Sequence, residues 1–397
     1  GTAVTTPATG PRPHHQLALL GAGEAWRHST GKGVVVAVLD SGVAADHPAL
    51  AGRVLPGSDH VDGSTDGTTD PVGHGTAVAS LIAGYDGEMA VGLAPDATIL
   101  PVRVLDAENR YKSATTVADG VRWAVAHGAD VINLSLGGQG YSPALAEALD
   151  FAMANDVVVI ACTGNGFGEG GTTVWYPARE PGVVAVSGLV WLPDGTAGAW
   201  HGSVTGPETV LAAPAVVDGA YPDGTYRTAQ GTSFAAALVA ATAALIRAKW
   251  PTLSAGDVVN RLMATARDLG PAGRDPLFGF GALDPVAALT ADVARVSGNP
   301  LDTKARHGTG RLGPAPARPP APSPSAVEAP GQAHSPVSVG VVRWTPAWAT
   351  GAASSAVTAN PVLGSSAAAA KTTPSTSPSG STNGPPELPL RTSARIV

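Results

Sequence analysis

Between about Gln16 and Val296 the hydrophobic positions follow two alternating patterns. Val34–Asp40, Ile99–Leu105, Val131–Leu136 and Val157–Cys162 are continuous apolar runs rich in Val and Ile. Parallel strands buried on both faces have this character. His74–Ala83, Thr115–His127 and Pro143–Asn155 instead carry apolar residues at helical spacing. Ser233–Lys249 is Ala-rich and nearly uncharged until its end, which predicts a helix buried on most sides. Ala255–Ala266 and Pro285–Val296 predict two more helices. Such alternation implies an α/β fold, with a central, mainly parallel sheet, right-handed crossovers and flanking helices.

The flanking segments differ. Residues 1–15 are rich in Pro, Thr and Ala and predict an extended arm, followed by a folded domain over 16–296. Residues 297–397 are rich in Pro, Ala, Ser and Thr. They cannot bury enough apolar surface to offset their ordering entropy, so a disordered tail is expected there.

Composition narrows the function classes. Net charge is −7 with no Lys or Arg run, which disfavours a nucleic-acid partner. Cys162 stands alone, so no intrachain disulfide can form, and a domain of this size folds without one. No apolar run approaches the roughly 18 residues of a membrane helix. The first residues lack the apolar core of a signal peptide, and the expectation is that one was removed upstream of Gly1.

Chemistry gathers at the carboxyl ends of strands in sheets of this kind. Asp40 ends the first apolar run. Taken alone, it reads as a residue that starts a turn. His74 lies between glycines that allow close approach, and alone it could be a surface group or a cap. Ser233 opens the most buried helix, where an N-cap serine is common and the local field favours developing negative charge.

The order of the motifs says more than any one of them. Asp40-Ser41-Gly42, then Gly73-His74-Gly75-Thr76, then Gly231-Thr232-Ser233-Phe234-Ala235-Ala236 resembles the active-site motifs of the subtilisin-like serine peptidases. Further landmarks follow the same order: His47-Pro48, Gly92-Leu93-Ala94-Pro95, Val131–Gly138, Gly164-Asn165-Gly166, Tyr176-Pro177, Leu211–Pro214 and Gly279–Asp284. The resemblance covers residues 16–296 and implies a three-layer subtilisin-like fold and a serine endopeptidase. It assigns Ser233 as nucleophile, His74 as general base and Asp40 as the group that orients the imidazole. Asn165 and the backbone N–H of Ser233 would form the oxyanion hole.

The same resemblance implies the substrate cleft. Ser135, Leu136 and Gly137 match the strand edge that pairs with a substrate backbone. Ala161, Cys162, Thr163 and Gly164 match the opposite wall of the pocket for the residue before the scissile bond. Trp175 stands at the floor of that pocket. Either its indole fills the space, implying preference for Ala or Gly, or it swings aside or packs into the core. The Tyr176-Pro177 bond corresponds to one that is cis in relatives.

Departures from the family pattern are equally specific. Phe234, Ala237 and Leu238 replace the usual Met, Pro and His after the nucleophile. Ala49 stands where many relatives place a calcium-binding carboxylate, and the loop over residues 85–90 is poor in Asn. No cofactor and no high-affinity calcium at that place are therefore expected. The acidic stretch Asp59–Asp70 fits no known calcium loop and reads as a solvated loop.

The short arm, Phe234, the stretch Asp284–Leu289 and the Pro-rich tail resemble the mycosins, peptidases associated with type VII secretion in actinobacteria. Mycosins usually add a C-terminal membrane helix and paired cysteines, and this sequence has neither. The resemblance implies a monomer outside the cytoplasm or at the cell envelope, acting on polypeptides beside a type VII secretion apparatus. Two other classes stay open: a non-catalytic scaffold and a peptide ligase or macrocyclase using the same acyl-enzyme. Reaction of Ser233 with a fluorophosphonate separates the first, and the mass of the product the second.

Overall fold

The computed structural model describes residues 12–166, 173–192 and 196–303. Most of the expected arm and the tail from 304 onward lie outside these residues. The chain enters through β1 (Arg12–Pro13), α1 (His15–Leu19) and α2 (Ala22–Ala25). β2 (Val35–Asp40), β3 (Ser58–Asp59), α3 (His74–Ala83), β4 (Met89–Ala90) and β5 (Thr98–Arg103) follow. Next come α4 (Ala114–Ala126), β6 (Val131–Leu134), α5 (Pro143–Ala154), β7 (Val158–Cys162), β8 (Val184–Trp191) and β9 (Ala197–Ala199). β10 (Leu211–Pro214), β11 (Val216–Ala220), β12 (Tyr226–Gln230), α6 (Thr232–Lys249), α7 (Ala255–Ala264) and α8 (Pro285–Thr290) complete it.

The main sheet runs β10-β8-β7-β6-β2-β5-β3, all parallel, with β9 added antiparallel to β8. Every residue of β2, β6 and β7 is buried, as their unbroken apolar sequences require of strands covered on both faces. α3 and α6 pack on each other, while α4 and α5 form a second pair against the sheet. The expectation that no run approaches membrane length needs correcting: α6, at 18 residues, is long and apolar enough to cross a membrane, but nearly all of it is core.

Four strands and most helices match the expected elements to within two residues. Two differences have physical causes. β8 and β10 were not expected as strands: β8 is interrupted by Ser187 and Gly188, and β10 is four residues ending in Pro214 at the sheet edge, a position that tolerates proline. α8 stops at Thr290 rather than continuing to Val296. There Arg261 Nη1 takes the carbonyls of Ala288 and Ala291 at 3.1 and 2.8 Å. Lys249 Nζ takes that of Leu289 at 2.6 Å. Cations that satisfy terminal carbonyls end the helix favourably.

Beyond α8 the chain folds back on the domain as far as the described residues go. Val296 N donates to Asp257 Oδ1 at 2.8 Å, Asn299 Nδ2 to Gly182 O at 2.7 Å, and Gly182 N to Leu301 O at 2.9 Å. At the other end, β1 pairs with β4. Gln16 clasps the backbone of Asp218 in β11 through its amide, donating at 3.0 Å and accepting at 3.3 Å.

Candidate active site

Three elements bring the expected triad residues to one end of the sheet. β2 delivers Asp40, which is fully buried. The turn after it needs Gly42, at φ +107°, because a Cβ there would lie 2.0 Å from the Thr69 carbonyl oxygen. His74 opens α3. Gly75 beside it lies so close to Gly42 that a Cβ would come within 2.1 Å of the Gly42 oxygen. The glycines of both motifs are thus what lets the two segments touch.

His74 Nδ1 lies 2.8 Å from Asp40 Oδ1, which also accepts from Ser41 N at 2.8 Å. A carboxylate only accepts, so this contact assigns the proton to Nδ1 and leaves Nε2 as the basic nitrogen. Burial pulls the proton affinity of His74 down. The Asp40 charge and hydrogen bond, with a further contribution from Asp70, more than offset this, so its pKa is raised above the ordinary 6.5. The imidazole faces the start of α6, 5.6 Å from the Phe234 ring.

Ser233 is 1 % exposed, at the first turn of α6. Its hydroxyl donates to the Ser135 carbonyl at 3.3 Å, and the hydrogen bonds of the described residues include none from it to His74. Ser135 holds the serine from both sides, because its own hydroxyl donates to the Ser233 carbonyl at 2.8 Å. Asn133 Nδ2 in turn donates to Ser135 Oγ at 2.9 Å. Asn133 sits on β6, so the sheet fixes the Ser233 backbone.

Asn165 is oriented by its neighbours. Its Oδ1 accepts from Thr232 N at 3.0 Å and from Thr232 Oγ1 at 2.8 Å. Two donors on one atom identify it as the carbonyl, which sets the amide flip and turns Nδ2 the other way. Thr232 immediately precedes Ser233, so this bond also ties the amide to α6.

The expected cleft walls lie on either side of Trp175. Ser135, Leu136 and Gly137 continue the chain past the last residue of β6. Ala161 and Cys162 close β7, and Thr163 and Gly164 follow. Trp175 N donates to the Thr163 carbonyl at 2.9 Å. A Cβ on Gly164 would lie 2.3–2.6 Å from indole atoms, and one on Gly137 would lie 3.2 Å from Trp175 Cβ and 3.4 Å from its ring. The indole therefore lies between the two walls. Cys162 is buried beneath, its thiol pushed up to about 11, mainly by burial, so it stays neutral. The Tyr176-Pro177 bond is cis.

Sequence reasoning missed several groups here. Asn133, Thr232 and Ser41 lay inside motifs already singled out, and their signal was proximity to them. The acidic stretch needs correcting: it is not simply solvated. The Asp59 side chain is fully buried and paired with Arg103 Nη1 at 2.7 Å. Burial pushes its carboxyl up, but the Val61 N–H and Arg103 outweigh it and hold it down at about 2. Asp70 is also buried. On paper, an acidic run looks the same whether water or protein donors surround it. Ala49 is buried, with its carbonyl accepting from Tyr85 N at 2.8 Å.

Residues 31–281 match the subtilase family, Peptidase S8, and the chain belongs to it. Subtilisin DY from Bacillus licheniformis is 40 % identical over 243 residues, 60 % of this chain and 86 % of that protein. Subtilisin E from Bacillus subtilis (strain 168) is 40 % identical over 244 residues, 61 % of this chain and 62 % of that one. Among solved structures, MycP1 with its N-terminal propeptide removed superposes with a TM-score of 0.65 at 29 % identity. That match covers 71 % of this chain and 98 % of MycP1. The MycP3 protease from the type VII (ESX-3) secretion system superposes with a TM-score of 0.62 at 32 % identity, covering 72 % and 90 %. The chain has the subtilisin fold, and its enzyme class is serine-type endopeptidase.

Proposed function

We propose that the chain cleaves polypeptides through an acyl-enzyme on Ser233, with Asp40 and His74 completing the triad and Asn165 in the oxyanion hole. The observation that carries this reading is the His74–Asp40 contact, which leaves Nε2 as the basic nitrogen of a ring lying 5.6 Å from Phe234 at the start of α6. On substrate binding the Ser233 hydroxyl leaves the Ser135 carbonyl and gives its proton to His74 Nε2 as Oγ attacks. Asp40 holds the imidazolium in place. The oxygen of the tetrahedral intermediate takes hydrogen bonds from Asn165 Nδ2 and Ser233 N–H. His74 returns the proton to the leaving amine, and water repeats the sequence on the acyl-enzyme. No metal enters these steps, and Ala49 offers only a methyl group where relatives use a carboxylate.

The substrate backbone pairs along Ser135–Gly137, and Trp175 shortens the pocket beyond it. With its indole between Gly137 and Gly164, the pocket takes Ala or Gly before the scissile bond and rejects Phe and Leu. The likeness to MycP1 and MycP3 supports a place outside the cytoplasm or at the cell envelope, beside a type VII secretion apparatus. A fluorophosphonate probe tests the core of the reading. It should label the wild-type protein and not Ser233→Ala, and peptidase activity should fall by about 10⁴-fold or more in that variant. Labelling that survives Ser233→Ala refutes it.

A further inference from the structure

Near the Asp40–His74 pair lies a second buried carboxylate that the steps above do not use. Asp70, in the chain just before α3, is 8 % exposed, and five donors surround it. Its Oδ1 accepts from Ser41 Oγ at 2.8 Å, Val72 N at 3.0 Å and Gly73 N at 2.8 Å. Its Oδ2 accepts from Thr76 N at 2.8 Å and Thr76 Oγ1 at 2.7 Å. Three of these partners, Val72 N, Gly73 N and Thr76 N, can only donate, so both carboxyl oxygens act as acceptors here. The bonds from Gly73 and Thr76 also satisfy the first turn of α3, whose N-cap, Gly73, has no side chain to do so.

Ser41 connects this group to the triad. Its hydroxyl has one proton and two carboxylates in reach, Asp70 Oδ1 at 2.8 Å and Asp40 Oδ1 at 3.2 Å. The shorter contact directs the proton to Asp70, while a lone pair receives Gly75 N–H at 3.1 Å. We infer that Asp70 is a positioning residue of the triad: it sets the Asp40–His74 geometry through Ser41 and the first turn of α3, and its charge favours the imidazolium formed in each turnover. This rests on the peptidase reading above. Other titratable groups surround the site on neighbouring elements. Tyr221, at the tip of the β11–β12 hairpin, lies against Gly73, with Arg227 stacked 4.9 Å from its ring and Asp223 paired to Arg227. Cys162 on β7 stays a neutral thiol.

The test is the pH profile of kcat/KM on a chromogenic peptide with Ala before the scissile bond, for wild type, Ser233→Ala, Asp70→Asn and Ser41→Ala. A wild type that fails to turn over, or an active Ser233→Ala, defeats the peptidase reading itself. With that reading intact, Asp70→Asn should lower the plateau by about 10- to 100-fold. Its acidic limb should also move to lower pH by about half a unit or more, because an imidazolium without the second charge loses its proton more easily. A limb that stays in place reduces Asp70 to a helix cap and overturns the inference, as does an unchanged plateau. If circular dichroism shows Asp70→Asn unfolded, Ser41→Ala decides. It keeps the charge but cuts the link, so its plateau should fall several-fold with the limb unmoved, and a wild-type plateau overturns the inference.

Discussion

The two sides of the cleft are built on different principles. On the His74 side, Asp40, Ser41, Asp70, Gly75 and Thr76 are joined by hydrogen bonds into one buried network. On the Trp175 side an indole lies between Gly137 and Gly164, and the proposed selection rests on steric fill. Polar networks tolerate little change, because a buried donor or acceptor left unpaired costs about 1–3 kcal/mol. A packed aromatic can be trimmed at the cost of a cavity. Chemistry and selectivity should therefore respond to mutation independently.

The largest expected effect that tests this separation is on turnover. Asn165→Ala should lower kcat by about 10²–10³-fold with KM nearly unchanged, a magnitude carried over from a subtilisin rather than derived from this geometry. Steady-state kinetics on one peptide measure it. A change confined to KM would place Asn165 among the substrate-binding groups instead. Trp175→Ala should act the other way, leaving labelling of Ser233 intact and shifting preference from Ala towards Phe before the scissile bond. A change of about 10- to 100-fold in the ratio of kcat/KM values is expected, the scale of filling an apolar pocket. A peptide library reads it, and an unaltered preference would mean that the indole does not limit the pocket. The smallest effect is in the wild-type pH profile. On the proposed mechanism His74 acts as a base only when neutral, and its raised pKa predicts that kcat/KM falls as pH drops through a value above 6.5. An acidic limb below that value would contradict the electrostatics of the His74 side.

The same contrast explains what could be read from the sequence. β2, β5, β6 and β7 were legible because burial on both faces forces continuous apolar runs. Asp40, His74, Ser233 and Asn165 were singled out by the order of their motifs and the family resemblance, not by any one motif, and close backbone approach explains the glycines at Gly42 and Gly75. Trp175 stayed undecided, since where an indole points depends on neighbours far along the chain. Asp70 was invisible for a similar reason: its five donors come from segments before and after it, and an acidic stretch does not announce them. The end of α8 was missed because the cations that terminate it, Arg261 and Lys249, lie on other helices.

The long reach of the contacts around Ser233 has a kinetic consequence. Ser135 grips Ser233 across 98 positions of chain, and Gln16 clasps β11, shortly upstream, across 202. Contacts of such separation form late, because the intervening loop must close first. A half-folded chain therefore has exposed, cleavable segments but no assembled protease, and a molecule that loses its sheet loses its activity with it. On the proposed reading, attack by an intact copy on an unfolded one should rise with the square of concentration at a fixed unfolded fraction.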